Sequence, residues 1–290
     1  MLYWGGRMNF LLNEQSLQGQ FKNAEEFLQS AKPVIQCIRK IHEYSEMIIY
    51  KTMNFSECKI TKDERICDLA RCQVSDELLN FQLSLDNEVY AYPFWDNNPQ
   101  QNLEQEYLYE GENVSCTSLA EAAVRKDALL SFALEKFMDC VIPIRSKEKL
   151  YQIFSIHTPK YLIEQCSDVL EIDRKTMLKI RYEGTRIDCT TLETEYGADI
   201  LEKSEFNMLI STLDKLVEHE SWESIGRDDG LEYKKYTPSP KNNWFRDGKY
   251  KGKTIMKFRY SKVMRCFGYR KGDKLRLLRL ERDHSISDNG

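Results

Sequence analysis

Residues 254–281 hold three strand-like runs with almost no chain between them. They are Thr254 to Tyr260, Met264 to Arg270 and Lys274 to Glu281, and Lys271-Gly272-Asp273 forms a tight turn before the last. Connections this short leave no room for a crossover, so the neighbouring runs must pair as an antiparallel sheet. A sheet so small needs a partner for one face. Ser204 to His219 supplies it, with Phe206, Leu209, Ile210, Leu213, Leu216 and Val217 at the i, i+3, i+4, i+7 spacing of an amphipathic helix and Ser204 at the N-cap position. The chain therefore ends in a helix packed on a small antiparallel sheet.

Charge divides the chain at about the same place. From Gly230 to Gly290 there are 17 Lys and Arg against 6 Asp and Glu, a net of +11, whereas the whole chain has a formal net charge of -4. The first 229 residues therefore carry 25 basic against 40 acidic side chains, a net of -15. A basic module behind a larger acidic part points to a polyanion as the partner of the C-terminus, and the opposite charges of the two parts favour their mutual attraction. The basic residues are interleaved with Tyr236, Trp244, Phe245, Tyr250, Phe258, Tyr260, Phe267 and Tyr269. That mixture suits gripping phosphates and stacking bases. A solvated basic surface with no ligand is the alternative.

The N-terminal part reads as mixed helix and strand, and 290 residues allow two domains, set here at 1–200 and 201–290. Asn23-Ala24-Glu25-Glu26 has capping-box spacing and opens an amphipathic run through Phe27, Ala31, Val34, Ile35, Ile38 and Ile41. Further helices are expected from Ser75 to Leu85, Leu119 to Arg125, Ser146 to Phe154 and Pro159 to Cys166. Strands are expected at Met47 to Tyr50, Val141 to Ile144, Met177 to Tyr182 and Thr185 to Cys189. The fold class is α+β. No nucleotide-binding, metalloprotease or hydrolase motif occurs, and no catalytic role falls to any residue before 200. Nine cysteines without CxxC spacing and four scattered histidines argue for reduced thiols and against a zinc cage, and no cofactor is expected. No run approaches the roughly 18 apolar residues of a membrane span, and Met1 to Phe10 lacks the order of a secretion signal, so a cytoplasmic protein with no membrane partner is expected.

Within 201–290 the order of motifs resembles the RelE and ParE toxin superfamily, and within it the YoeB-like ribonucleases. The resemblance rests on Ser224-Ile225-Gly226 leading to Glu232 and Lys235, on Lys257-Phe258-Arg259 as a central strand, on Met264-Arg265-Cys266-Phe267-Gly268-Tyr269 as the next, and on Arg282-Asp283-His284 at the end. It implies a RelE-like domain that cleaves RNA without metal, commonly on the ribosome, by attack of a ribose 2'-hydroxyl. Glu232 would then be the base and His284 the acid, while Arg265, Lys235 and Arg259 would clamp the phosphate. Lys234, Lys249, Lys251, Lys253, Lys257 and Arg270 would be RNA contacts. Family toxins are usually single domains held by a separate antitoxin. Here the acidic part stands in front of the domain, which implies in-chain restraint in growth arrest or anti-phage defence, with an antitoxin or defence protein as a further partner. Two other readings stay open: a non-catalytic nucleic-acid- or partner-binding subunit of a bacterial defence complex, and a gyrase-directed ParE-like domain.

Overall fold

The computed structural model describes residues 8–283. The chain divides into two compact units, Met1–Ile172 and Asp173–Gly290, each built on its own sheet. Both mix helix and strand. Residues 173–200, which sequence reading groups with the acidic part, belong to the second unit. There Ile187 pairs with Leu275 in the sheet, and Leu178, Tyr182 and Cys189 enter the core.

The first unit comprises β1 (Phe10–Asn13), α1 (Ala24–Tyr44), β2 (Ile49–Tyr50), α2 (Asp76–Tyr90), β3 (Leu108–Tyr109), β4 (Glu112–Asn113), α3 (Ser118–Arg125), β5 (Ala128–Ser131), β6 (Cys140–Ser146), β7 (Lys149–Ile156) and α4 (Pro159–Cys166). Its sheet has the order β2-β1-β5-β7-β6-β3-β4, parallel from β2 to β7 and antiparallel beyond. The fully buried run Phe10-Leu11-Leu12 is what a strand covered on both faces requires. α1 starts where the capping residues place it. Asn23 Oδ1 accepts from the Glu26 amide at 2.8 Å, and the Glu26 carboxylate accepts from the Lys22 amide at 2.7 Å.

Two local expectations fail, in opposite directions. Residues 146–154 form the turn and strand of the β6–β7 hairpin rather than a helix. Lys147 takes a φ of 52° at the turn, and Ile142 faces Ile153 across the ladder. Conversely, the residues from Met177 to Tyr182, expected as a strand, lie in α5 (Arg174–Arg181) and its C-cap. Asp173 caps it by accepting from the Thr176 amide at 2.9 Å, and Leu178 and Tyr182, four residues apart, share the buried face. Apolar runs this short carry both periods equally well.

After α5 the second unit continues through β8 (Ile187–Asp188), α6 (Lys203–Glu218), α7 (Trp222–Gly226), β9 (Lys234–Lys235), β10 (Ile255–Arg259), β11 (Arg265–Lys271) and β12 (Lys274–Glu281). The sheet order is β8-β12-β11-β10-β9. β9 to β12 are antiparallel, as the short connections demand, and β8 joins parallel to β12. Glu202 rather than Ser204 is the N-cap of α6, and its amide donates to the Glu205 carboxylate at 2.7 Å. The sheet is covered on both faces. Phe258, Cys266, Leu277 and Leu280 share a core with Leu209, Leu213 and Leu216 of α6. Ile255, Phe267, Tyr269 and Leu278 form a second core with Tyr236, Phe245 and Tyr250 from the segment joining β9 to β10. β11 and β12 slip register at Phe267/Gly268. A Cβ on Gly268 would lie 2.4 Å from the Arg276 carbonyl oxygen, so only glycine fits.

Candidate nucleic-acid interface

Most of the described residues singled out by sequence gather around β9, β10 and the segment 236–253, but in two groups. Glu232, Lys234, Arg259 and Arg265 form one. The Glu232 backbone adopts a φ of 44°, and the Arg259 amide donates to the Leu231 carbonyl at 2.7 Å, which sets the Glu232 carboxylate against the Arg259 guanidinium. Lys234 Nζ lies 3.7 Å from the same carboxylate and Arg265 Nη2 lies 4.0 Å away. Burial pushes the Glu232 carboxyl up, but the charges of Arg259 and Lys234 outweigh it and hold the group below the usual carboxylate range. A carboxylate so stabilised is a weak proton acceptor near neutral pH.

Arg265 is buried, its side chain 7% exposed. Its Nη1 donates to the carbonyls of Ser261, Lys262 and Met264 at 3.2, 3.3 and 3.0 Å, so the guanidinium closes the β10–β11 connection. His284 lies outside the described residues.

The second group lines a cavity of about 400 Å³ between β9 and the segment 236–253. Four cations border it, Lys235, Arg246, Lys251 and Lys253, against one carboxylate, Asp247. Tyr236, Phe245 and Tyr250 form its apolar floor. Lys253 Nζ is 4.6 Å from the Tyr269 ring centroid, so that ring steadies its ammonium. Lys257 Nζ lies 5.8 Å from the Tyr236 ring, and Lys249 pairs with Glu193 at 3.0 Å. Arg270 is elsewhere, its guanidinium 4.4 Å from the Trp222 ring, whose Nε1 donates to Asp273 at 2.6 Å.

Seven of the eight interleaved aromatic residues do not offer stacking faces, and Trp244 is half-buried. Tyr236, Phe245, Tyr250, Phe258, Tyr260, Phe267 and Tyr269 are all buried. Phe267 meets Tyr236 and Trp244 edge-on, with interplanar angles of 78° and 89°. The expectation of base stacking by these seven residues is thus overturned. They are spent on packing: Phe258 and Tyr260 fill the core on one face of the sheet, and Tyr236, Phe245, Tyr250, Phe267 and Tyr269 fill the core on the other.

Sequence reading missed Arg246, Arg279 and Glu193. Arg246 had no partner pattern to mark it. Arg279 is 6% exposed within a leucine-rich strand, and its Nε donates to Glu193 at 2.8 Å across a separation of 86 residues. Nothing local could reveal that pair. A Ser224–His219–Asp228 chain, with His219 Nδ1 3.2 Å from Ser224 Oγ and Nε2 3.0 Å from Asp228, also escaped notice. Ser224 Oγ donates to the Ser221 carbonyl at 2.8 Å and Asp228 accepts from the Gly230 amide at 2.9 Å, so the chain ties α6 to α7 and the following turn.

Three buried charges of the first unit, Lys51, Glu88 and Glu121, are in ion pairs. Lys51, 1% exposed, lies 3.1 Å from Glu88, which also meets His42 at 2.8 Å, and buried Glu121 meets Arg125 at 2.5 Å. Among the described residues no group of three or more His, Cys, Asp or Glu is placed to hold a metal ion, and no helix is long and apolar enough to cross a membrane. Comparison with protein-family models, with curated proteins and with solved structures finds no match to this chain.

Proposed function

We propose that the second unit binds nucleic acid, RNA first, through the phosphate backbone and without reading bases. The observation that carries this is the cavity in which Lys235, Arg246, Lys251 and Lys253 face a single carboxylate. Four cations drawn together in one concavity repel one another, and a polyanion relieves that repulsion while releasing its own condensed counterions. Burial of the neighbouring rings supports phosphate contact over stacking. Single-stranded and duplex RNA of equal length should therefore bind within about an order of magnitude of one another. Fluorescence anisotropy with a labelled 20-residue oligouridylate and a labelled duplex tests this. Absence of binding at low salt, or binding insensitive to salt, refutes it.

A second reading is RNA cleavage by a RelE-like domain restrained by the acidic first part. The meeting of Glu232, Arg259 and Arg265 supports it, as do the order of helix and antiparallel strands and the opposite net charges of the two parts. Against it stand the lowered Glu232 carboxyl and the commitment of Arg265 to three carbonyls. Mapping RNA ends after incubation with the full chain, with and without ribosomes, separates the two. New 5'-hydroxyl ends that vanish in Glu232→Gln favour cleavage, whereas intact RNA retained in a complex favours binding.

A further inference from the structure

Arg279 is a heavily partnered cation of the second unit, and the phosphate-binding reading leaves it unused. It stands on β12 beneath the segment 236–253. Its Nε donates to Glu193 Oε2 at 2.8 Å, its Nη1 to the Trp244 carbonyl at 2.7 Å and its Nη2 to the Tyr250 hydroxyl at 3.0 Å. Cζ lies 5.0 Å from the ring centroids of Tyr196, Trp244 and Phe245, and 5.3 Å from that of Tyr250. The other Glu193 oxygen accepts from the Tyr250 hydroxyl and meets Lys249 Nζ at 3.0 Å.

These contacts reach the segment on both sides of Arg246 and Asp247, which border the cavity. Apart from a short turn at Gly248–Tyr250 the segment has no regular structure, so no backbone ladder holds it. One guanidinium holds it from beneath, by bonds at 244 and 250 and by ring contact at 244, 245 and 250, alongside the Tyr236 hydroxyl, which donates to the Asn242 carbonyl, and the burial of Phe245 and Tyr250 in the second core. Being buried and enclosed by rings, the guanidinium is not itself presented to the cavity.

We infer that Arg279 is the positioning residue of the phosphate cavity, holding the cavity-forming segment in its ligand-ready shape before the ligand arrives. The inference rests on the phosphate-binding reading. A segment ordered in advance loses little freedom on binding, whereas a loose one must be ordered at the expense of affinity. Lysine cannot substitute. It keeps the charge but lacks the planar fork that spans a carboxylate, a carbonyl and a hydroxyl and stacks on rings.

The test uses the full chain, the 20-residue oligouridylate and a salt series from about 50 to 200 mM, over which phosphate contacts reveal themselves by their slope. Arg279→Lys should bind about tenfold more weakly with an unchanged slope of log K against log salt, because the cations that meet phosphates remain. Without ligand, trypsin should cut it after Arg246, Lys249 or Lys251 about tenfold faster than the wild type, in proportion to the larger open fraction. Wild-type affinity in Arg279→Lys overturns the inference. Should Arg279→Lys not fold, Tyr250→Phe severs one bond to the guanidinium and keeps the ring, and a variant matching the wild type in both affinity and trypsin cleavage overturns the inference equally. If the wild type binds no oligouridylate, the phosphate-binding reading fails. The trypsin comparison still judges the clamp, which equal cleavage of wild type and Arg279→Lys would overturn.

Discussion

Replacing Lys251 and Lys253 together by glutamine removes half of the positive charge around the cavity, and its effect on salt dependence follows from the cations that border it. If each of Lys235, Arg246, Lys251 and Lys253 neutralises one phosphate, the slope of log K against log salt for single-stranded RNA is about -2.8, from about -0.7 per phosphate. Raising salt fourfold, from about 50 to 200 mM, then weakens wild-type binding about 50-fold. The double variant keeps two contacts and a slope of about -1.4, so the same change weakens it only about 7-fold. Anisotropy titrations at four salt concentrations measure both slopes. Lys251 is exposed, and Lys253 loses a contact with the Tyr269 ring worth about 0.5–1 kcal/mol, so the thermal midpoint should fall by only a few degrees. A double variant with the wild-type slope would refute the assignment of these lysines to phosphates. A wild-type slope near zero would refute the cavity as an electrostatic site.

Other expectations address the scaffold and the second reading. The Glu88 hydrogen bond raises the His42 pKa against the opposing effect of burial, so the pair stabilises the fold fully below the unfolded histidine value of about 6.5 and loses that contribution as pH rises through the folded value. Because the imidazole is half exposed, the contribution is under about 1 kcal/mol, and urea midpoints from pH 5.5 to 8.5 should fall with pH in the wild type more than in His42→Gln. Gly268→Ala should destabilise the second unit by about 1–3 kcal/mol, since its methyl must displace the Arg276 carbonyl, and an unchanged melting curve would contradict that close approach. Glu232→Gln should leave Arg259 without its countercharge and strengthen RNA binding. If the chain cleaves RNA with Glu232 as base, the same change should slow cleavage about 100-fold, and both are read from one time course on labelled RNA.

What the sequence determined by itself is what neighbouring residues decide among themselves. Asn23 and Glu26 mark the start of α1, the six apolar positions of 204–219 mark α6, and the tight spacing of the last three strands forces an antiparallel sheet. The concentration of positive charge at the C-terminus is equally local. Tertiary structure decided everything that depends on a distant partner. Whether Met177 to Tyr182 coiled or extended, and whether Lys149 to Ile156 joined a sheet, turned on which surface could bury their apolar side chains. β8, only two residues long, is a strand because Leu275 and Arg276 pair with it. The same distance separates the two expectations for the basic module. Lys251 and Lys253 reach a cavity because loops between strands face solvent, whereas the interleaved aromatics were drawn inward by the cores on the two faces of the sheet and Arg265 by the carbonyls of its own turn. Glu193 and Arg279 meet only because residues 191–196 run beside β12, where the Glu193 amide donates to the Leu278 carbonyl at 2.9 Å and the Leu280 amide to the Tyr196 carbonyl at 2.7 Å.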